Sequence, residues 1–211
     1  MTTLSLYGTP LSHFTRKIRV LLAELDVAFD FVRVGGVLGT APSGYGDNPL
    51  LRIPTLAHDG VTLVDSDHIA RHLVGRFDPG DRLCVRSDDP HDLNRLAVAN
   101  GVMDNEVVLI LAARGGFTDL ESVAYFRKLS TGIDSGLAWL DANVEEGELD
   151  YADIALVCMW QHLAHYGIAK NLDRHARIAA RVMQFADRAS IASTTPATSL
   201  AEAAAVGWKP A

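Results

Sequence analysis

The first 77 residues combine the two-residue spacing of strands with the longer spacing of helices. An apolar run over residues 4–7 predicts a strand that ends at Gly8-Thr9-Pro10. Apolar side chains then recur every three or four positions over residues 14–25, which predicts a helix. Residues 27–34 are rich in Phe and Val and predict a second strand. Residues 35–49, with five glycines and two prolines, predict a loop.

The next stretch predicts a hairpin followed by a helix. Residues 55–58 (TLAH) and 61–64 (VTLV) flank Asp59-Gly60, a pair that favours the primed two-residue turn. Ile69, Leu73 and Phe77 then follow one stripe of a helix over residues 65–77. The predicted order is β-α-β-loop-β-β-α, which resembles the thioredoxin fold.

The remaining chain predicts helices only. Residues 79–91 contain proline and several aspartates without a periodic pattern, so we expect a linker there. We therefore predict an N-terminal α/β domain over 1–78 and an all-α domain over 92–211. Its helices are expected at about 92–114, 119–144, 151–166 and 173–188.

One helix start in this second half carries a strong signal. Asp150 is placed to cap a helix, with Asp153 at the third position and Leu149 and Ile154 spaced for a hydrophobic staple. The segment 154–160 is apolar on every face, so this helix is expected at the centre of its domain.

Composition narrows the classes of function. The chain has 211 residues, 48% of them apolar, which is ordinary for a globular protein. A net charge of −7 and the lack of a dense Lys/Arg block argue against nucleic acid or an anionic membrane as a partner. The opening residues show no secretion signal, and no continuous apolar run reaches the length of a membrane span. We expect a soluble, cytoplasmic protein.

Four segments resemble the glutathione transferase superfamily, in its order and spacing. They are LYGTPLSHFTRKIRVLLAEL, NPLLRIPTL, LVDSDHIARHL and DYADIALVCMW. The first is similar to the opening of the serine- and cysteine-type classes, and bacterial members with a Ser-Pro-x-Ser-type opening look most alike. The resemblance implies the cytosolic glutathione transferase fold: a thioredoxin-like N-terminal domain followed by an all-α C-terminal domain.

Ser12 is the candidate catalytic residue. In serine-type members a hydroxyl at the matching position donates a hydrogen bond to the glutathione sulfur, which stabilises the reactive thiolate. The alternative is that Ser12 only caps the first helix, and Thr9 is a second candidate hydroxyl. No cysteine precedes Cys84, so activation of a bound thiol is expected rather than disulfide exchange. His13 stands where the family often has proline, and we expect it to face solvent.

The resemblance also assigns residues to the rest of the glutathione molecule. Ile53-Pro54 matches a family position with a cis peptide bond, where the backbone of Ile53 pairs with the cysteinyl unit. Arg52 is a candidate for the glycyl carboxylate, or else a solvated surface side chain. Asp65 and Ser66 match the pair that holds the γ-glutamyl end, although many members have Glu where this chain has Asp65. Plain helix capping is the alternative for both.

Other polar residues give weaker signals. Asn100 and Asp104 share a helix face, and Asp104 is a candidate to face a cleft between the domains, but a polar residue on an amphipathic helix is usually just solvated, and we favour that explanation. The pairs His68/His72 and His162/His165 have spacings that suit metal ligands, but they lack companion ligands, so no metal is expected.

The function that the resemblance implies is glutathione transfer. Glutathione is then a co-substrate whose thiol attacks a small electrophile, and the resemblance also implies a homodimer. The alternative is a non-enzymatic member of the same fold that binds or regulates without turnover.

Overall fold

The structure is a computed structural model and describes residues 4–208. Within that range the chain forms two compact units. The first unit consists of two segments of the chain, the residues up to Arg86 and those from Ala186 onward, and the second unit is Ser87–Phe185. The predicted α/β fold followed by an all-helical region is confirmed.

The first unit is built on a four-stranded mixed sheet in the order β2-β1-β3-β4. The strands are β1 (Ser5–Gly8), β2 (Asp30–Arg33), β3 (Thr55–His58) and β4 (Val61–Val64). β1 pairs with β2 in parallel, whereas β1–β3 and β3–β4 are antiparallel. Helices α1 (His13–Glu24) and α2 (Ser66–Phe77) complete the predicted β-α-β-β-β-α order.

The hairpin prediction is confirmed in detail. Asp59 and Gly60 have φ values of 53° and 76°, so both central residues of the turn are left-handed, as a primed turn requires. The second strand is shorter than residues 27–34 suggested. A helical turn over Pro42–Tyr45 lies within the predicted loop and buries Tyr45, whose hydroxyl donates to the carbonyl of Gly39 at 2.9 Å.

The second unit consists of four longer helices. They are α3 (Pro90–Arg114), α4 (Ala124–Ala142), α5 (Tyr151–Tyr166) and α6 (Ala176–Phe185). α5 is buried along nearly its whole length, which confirms its predicted central position. By length and composition α3 also passes as a membrane span, which is weak evidence because core helices pass the same test. Asp104 and Glu106 interrupt its apolar run.

The start of α5 shows the predicted capping box. Asp150 Oδ1 accepts from the Asp153 N–H at 2.6 Å, and Asp153 Oδ2 accepts from the Asp150 N–H. Asp153 is fully buried and also binds two guanidinium groups: Arg95 Nη2 lies 3.0 Å from Oδ1, and Arg181 Nη2 lies 2.6 Å from Oδ2. Arg95 additionally contacts Asp150 at 2.9 Å, so every charge in this cluster has a partner.

The last described residues belong to the first unit, whereas the sequence-based division placed all of 92–211 in one helical domain. They contain α7 (Ala189–Ala192) and α8 (Pro196–Ala205), which were not predicted. Their polar side chains pair with buried arginines of α1: Arg16 donates to Thr194, and Arg19 donates to Ser199. The indole of Trp208 donates to the carbonyl of Val34 at 3.0 Å.

Candidate active site

The beginning of α1 is set by close packing at the end of β1. A Cβ atom at Gly8 would lie 2.3 Å from Thr15 Cγ2, so only glycine allows the helix to begin directly against the strand. Ser12 is the N-cap, with extended backbone, and its Oγ accepts from the Thr15 N–H at 3.1 Å. A hydroxyl has two acceptor positions and one donor, so this bond leaves the O–H of half-buried Ser12 able to donate.

Two neighbours of Ser12 are buried. The Thr9 carbonyl accepts from the Ser12 N–H at 3.2 Å, and Thr9 itself is only 7% exposed, so it helps to close the turn. The expectation that His13 faces solvent is wrong, because its side chain is 1% exposed. His13 Nδ1 accepts from the Phe14 N–H at 2.9 Å, which places the ring proton on Nε2 when the ring is neutral.

The segment before β3 contains the predicted cis bond between Ile53 and Pro54, which is confirmed. Arg52 has an exposed side chain, and its carbonyl accepts from Asn48 Nδ2 at 2.9 Å. Asn48 is 1% exposed, donates also to Thr55 Oγ1 and accepts from the backbone ahead of Arg52. Sequence reasoning quoted Asn48 within a family motif but gave it no role. It fixes the shape of this segment.

Asp65 caps the start of α2. Its Oδ1 accepts from the N–H groups of Asp67 at 2.9 Å and His68 at 3.1 Å, so Asp65 does cap the helix. Its role toward a ligand stays a prediction. The φ of Asp65 is 73°, an uncommon conformation for a non-glycine residue that costs about 1–3 kcal/mol and clusters at functional sites. Ser66, the first residue of α2, is only 5% exposed.

Sequence reasoning missed Lys17 and Asp67, which lie beside Ser66 at the start of α2. The Nζ of Lys17, on α1, lies 2.7 Å from Asp67 Oδ1 and 3.3 Å from Ser66 Oγ. The side chain of Lys17 is fully buried. The sequence feature that could have indicated Lys17 was the group of basic residues on an otherwise apolar α1. Their partners are distant in sequence, so this feature did not identify them.

The sheet register brings the predicted residues to one end of the first unit. Tyr7 pairs with Thr55, and Thr55 pairs with Val64, so the end of β1, the start of β3 and the end of β4 form one row. Along the chain, Ser12, Ile53 and Ser66 each lie two to five positions from a residue of this row. The roles of these residues, and those of Arg52, Pro54 and Asp65, stay predictions.

The histidine pairs separate rather than converge. His162 is buried and lies 2.8 Å from Glu106, whereas His165 is exposed. His72 bonds to His58, with Nε2 and Nδ1 2.8 Å apart, whereas His68 bonds to the Val64 carbonyl. Burial first, and then the charge of His58, lower the pKa of His72.

Comparison with known proteins shows what this fold is similar to. Residues 6–80 match the sequence profile described as the N-terminal domain of glutathione S-transferase. A search of curated proteins gave no match.

Solved structures match over nearly the whole chain. A glutathione S-transferase from Methylobacillus flagellatus, solved with glutathione bound, is 28% identical, with 92% of this chain and 100% of that chain covered and a TM-score of 0.77. A glutathione transferase family member from Pseudomonas fluorescens, also with bound glutathione, is 28% identical at 92% and 99% coverage, again with a TM-score of 0.77. The chain is therefore similar in fold to glutathione S-transferases over nearly its whole length, and its residues 6–80 match the N-terminal domain of that family.

Proposed function

We propose that this protein is a serine-type glutathione transferase. It binds glutathione on the first unit, stabilises the thiolate beside Ser12 and adds the sulfur to a small electrophile. The observation that carries the proposal is the common row of Tyr7, Thr55 and Val64, from which the three predicted contact points all follow. The bound glutathione in the two similar bacterial structures supports the choice of co-substrate.

The position of Ser12 at the start of α1 supports a role in thiolate stabilisation. A free thiol has a pKa of about 8.5, and the attacking species is the thiolate. The hydroxyl of Ser12 and the positive end of α1 both favour the anion. Lowering the thiol pKa by about two units requires roughly 2.7 kcal/mol, which one charge-assisted hydrogen bond and a helix terminus together supply.

The rest of the tripeptide extends away from the sulfur. The backbone of Ile53, beside Pro54, pairs with the cysteinyl unit as an added strand. Arg52, whose side chain is exposed, takes the glycyl carboxylate in this proposal. At the other end, Ser66 takes the γ-glutamyl carboxylate at the start of α2, and Asp65 takes the ammonium group.

We also propose a cytoplasmic homodimer, which rests on the family resemblance. Light scattering of the purified chain tests the assembly, since a dimer has twice the mass of a monomer. A monomeric mass at working concentration contradicts that part of the proposal and leaves the glutathione site standing.

Two measurements test the function. Calorimetric titration with glutathione is expected to give saturable binding at or below millimolar concentration, and an assay with an activated chloroarene is expected to release chloride only when glutathione is present. Absence of binding at millimolar glutathione rules out the proposal. Binding without turnover of any electrophile favours the alternative, a non-enzymatic glutathione-binding protein. The presence of His13 at the usual proline position, and of Asp65 at the usual glutamate position, motivates that alternative.

A further inference from the structure

A lysine from a different helix reaches the start of α2. Lys17 lies in the second turn of α1, and its ammonium group donates to Asp67 Oδ1 at 2.7 Å and to Ser66 Oγ at 3.3 Å. The ammonium also lies 5.6 Å from the ring centre of Phe14. Burial of a lysine is expensive unless its charge is paired, so the position of this side chain is held by specific contacts.

The contact with Lys17 decides how the hydroxyl of Ser66 is oriented. An ammonium group has donors only, so Ser66 Oγ must accept this hydrogen bond. Repulsion between the hydrogen atoms then turns the Ser66 O–H away from Lys17.

The charges at the same position explain why a cation is needed there. Asp65 and Asp67 put two carboxylates in the first turn of α2, and both stabilise the helix by capping or by the helix dipole. A third carboxylate, from a ligand, would meet repulsion from both. Lys17 offsets one of these charges and also donates to the hydroxyl of Ser66.

We propose that Lys17 is a positioning residue of the glutathione site. It orients Ser66 as a donor and supplies the positive charge that lets the start of α2 accept the α-carboxylate of the γ-glutamyl group. Lys17 thereby selects thiols that carry this carboxylate. The inference rests on the proposed function, because it assigns a role within the same site.

A purely structural role is the competing explanation. In that case the Lys17–Asp67 ion pair only fastens α1 to α2. The two explanations differ in the sign of one effect. If the pair is only a fastener, loss of either partner weakens ligand binding alike. If Lys17 serves the ligand, loss of Asp67 removes a competitor for its charge, and binding stays equal or becomes tighter.

The test is a calorimetric comparison of two thiols on four forms of the full chain. The thiols are glutathione and 4-aminobutyryl-cysteinylglycine, which lacks only the α-carboxylate in question. The forms are the wild type, Lys17→Met, Lys17→Arg and Asp67→Asn. We expect the wild type to prefer glutathione by about tenfold or more.

The variants are expected to separate the two explanations. Lys17→Met loses about tenfold in affinity for glutathione and changes less than about twofold for the analogue. Lys17→Arg keeps the charge and stays within about threefold of the wild type. Asp67→Asn binds glutathione at least as tightly as the wild type does, although its free energy of unfolding falls.

Each contrary outcome has a definite meaning. If the wild type binds neither thiol, the proposed function fails and the role of Lys17 fails with it. If the wild type binds glutathione but does not prefer it to the analogue, the role of Lys17 and the assignment of Ser66 to the γ-glutamyl carboxylate are both overturned, whereas glutathione binding stands. If Lys17→Met weakens both thiols equally, only the role of Lys17 is overturned. If Lys17→Met does not fold, Asp67→Asn decides, and a tenfold weaker affinity there overturns the inference.

Discussion

Two helix starts in this protein use the same residue types for different ends. The start of α5 has Asp150 and Asp153, and the start of α2 has Asp65 and Asp67, each with a cation from another helix. At α5 the Asp153 carboxylate is enclosed by two guanidinium groups and a backbone N–H, and it is fully buried. The Asp153 carboxylate is therefore fully engaged by groups of the protein itself.

The start of α2 is arranged differently. Its capping residue Asp65 is exposed and has a left-handed φ of 73°, and its cation lies against a hydroxyl as well as a carboxylate. The difference teaches that the same residue types at a helix start are compatible with two roles. A buried ionic cluster contributes to folding, whereas the partly exposed start of α2 is where we propose a ligand site.

The largest expected effect breaks the buried cluster. Asp153→Asn removes the carboxylate that buried Arg181 binds, whereas Arg95 keeps Asp150, so the free energy of unfolding should fall by about 3–5 kcal/mol. Urea denaturation measures this. Asp173→Asn, at an exposed aspartate of the same unit, is the matched control and should change stability by less than about 0.5 kcal/mol. A small effect of Asp153→Asn would mean that the cluster is not a folding element.

The next effect concerns a third helix start, that of α1. Ser12→Ala removes the proposed donor to the thiolate, so kcat/KM should fall by about a hundredfold. The pKa of the bound glutathione thiol should rise toward the free value, which thiolate absorbance against pH measures. Ser12→Thr keeps a hydroxyl and is the control. An unchanged thiol pKa in Ser12→Ala would leave Ser12 as a helix cap only.

Ser66→Ala sharpens the comparison at α2 itself. Loss of one hydrogen bond to a charged group should raise the Kd for glutathione by about tenfold, measured by calorimetry. The free energy of unfolding should fall by only about 1 kcal/mol, since the bond from Lys17 is lost as well. The reverse pattern, a large loss of stability with unchanged affinity, would make the start of α2 a folding element like that of α5.

The smallest effect lies farther along α2 and depends on pH. The lowered pKa of His72 means that the unfolded chain binds more protons than the native one once the pH falls below about 6.5. The free energy of unfolding should therefore decrease from pH 7 toward pH 5, and more acid conditions should also break the His58–His72 bond. The charged neighbours are His68, Arg76 and Asp59.

His72→Gln keeps a hydrogen-bonding partner for His58 and removes this titration. Between pH 7 and pH 5 the free energy of unfolding should fall less in His72→Gln than in the wild type. The difference between the two forms should be below about 1 kcal/mol. Urea denaturation at the two pH values measures the slope. Equal slopes in both forms would show that His72 does not contribute to the acid sensitivity.

Local signals predicted much of this fold. The turn at Asp59-Gly60 and the capping box at Asp150 and Asp153 each depend on residues a few positions apart, and both are confirmed. By contrast, Lys17 and Ser66 are 49 positions apart in the sequence. The contacts between α1 and the last helical segments join residues 178–183 positions apart. No local pattern encodes either set of contacts.

The predicted site divides in the same way. Ser12 and Asp65 were recognisable as helix starts from local pattern, and the family motifs added their chemistry. Asn48 and Lys17 act through contacts with other segments, so their residue types alone did not reveal them. His13 is buried although a first-turn histidine usually faces water, because burial depends on tertiary packing rather than on sequence position.

A crystal structure of the protein with glutathione is the most direct test of the account. We expect the sulfur within hydrogen-bond distance of Ser12 Oγ and the γ-glutamyl carboxylate on Ser66 Oγ, with Lys17 still in contact with that hydroxyl. A glutathione molecule bound elsewhere on the chain, or one with its sulfur out of reach of Ser12 and its carboxylate away from Ser66, would contradict it.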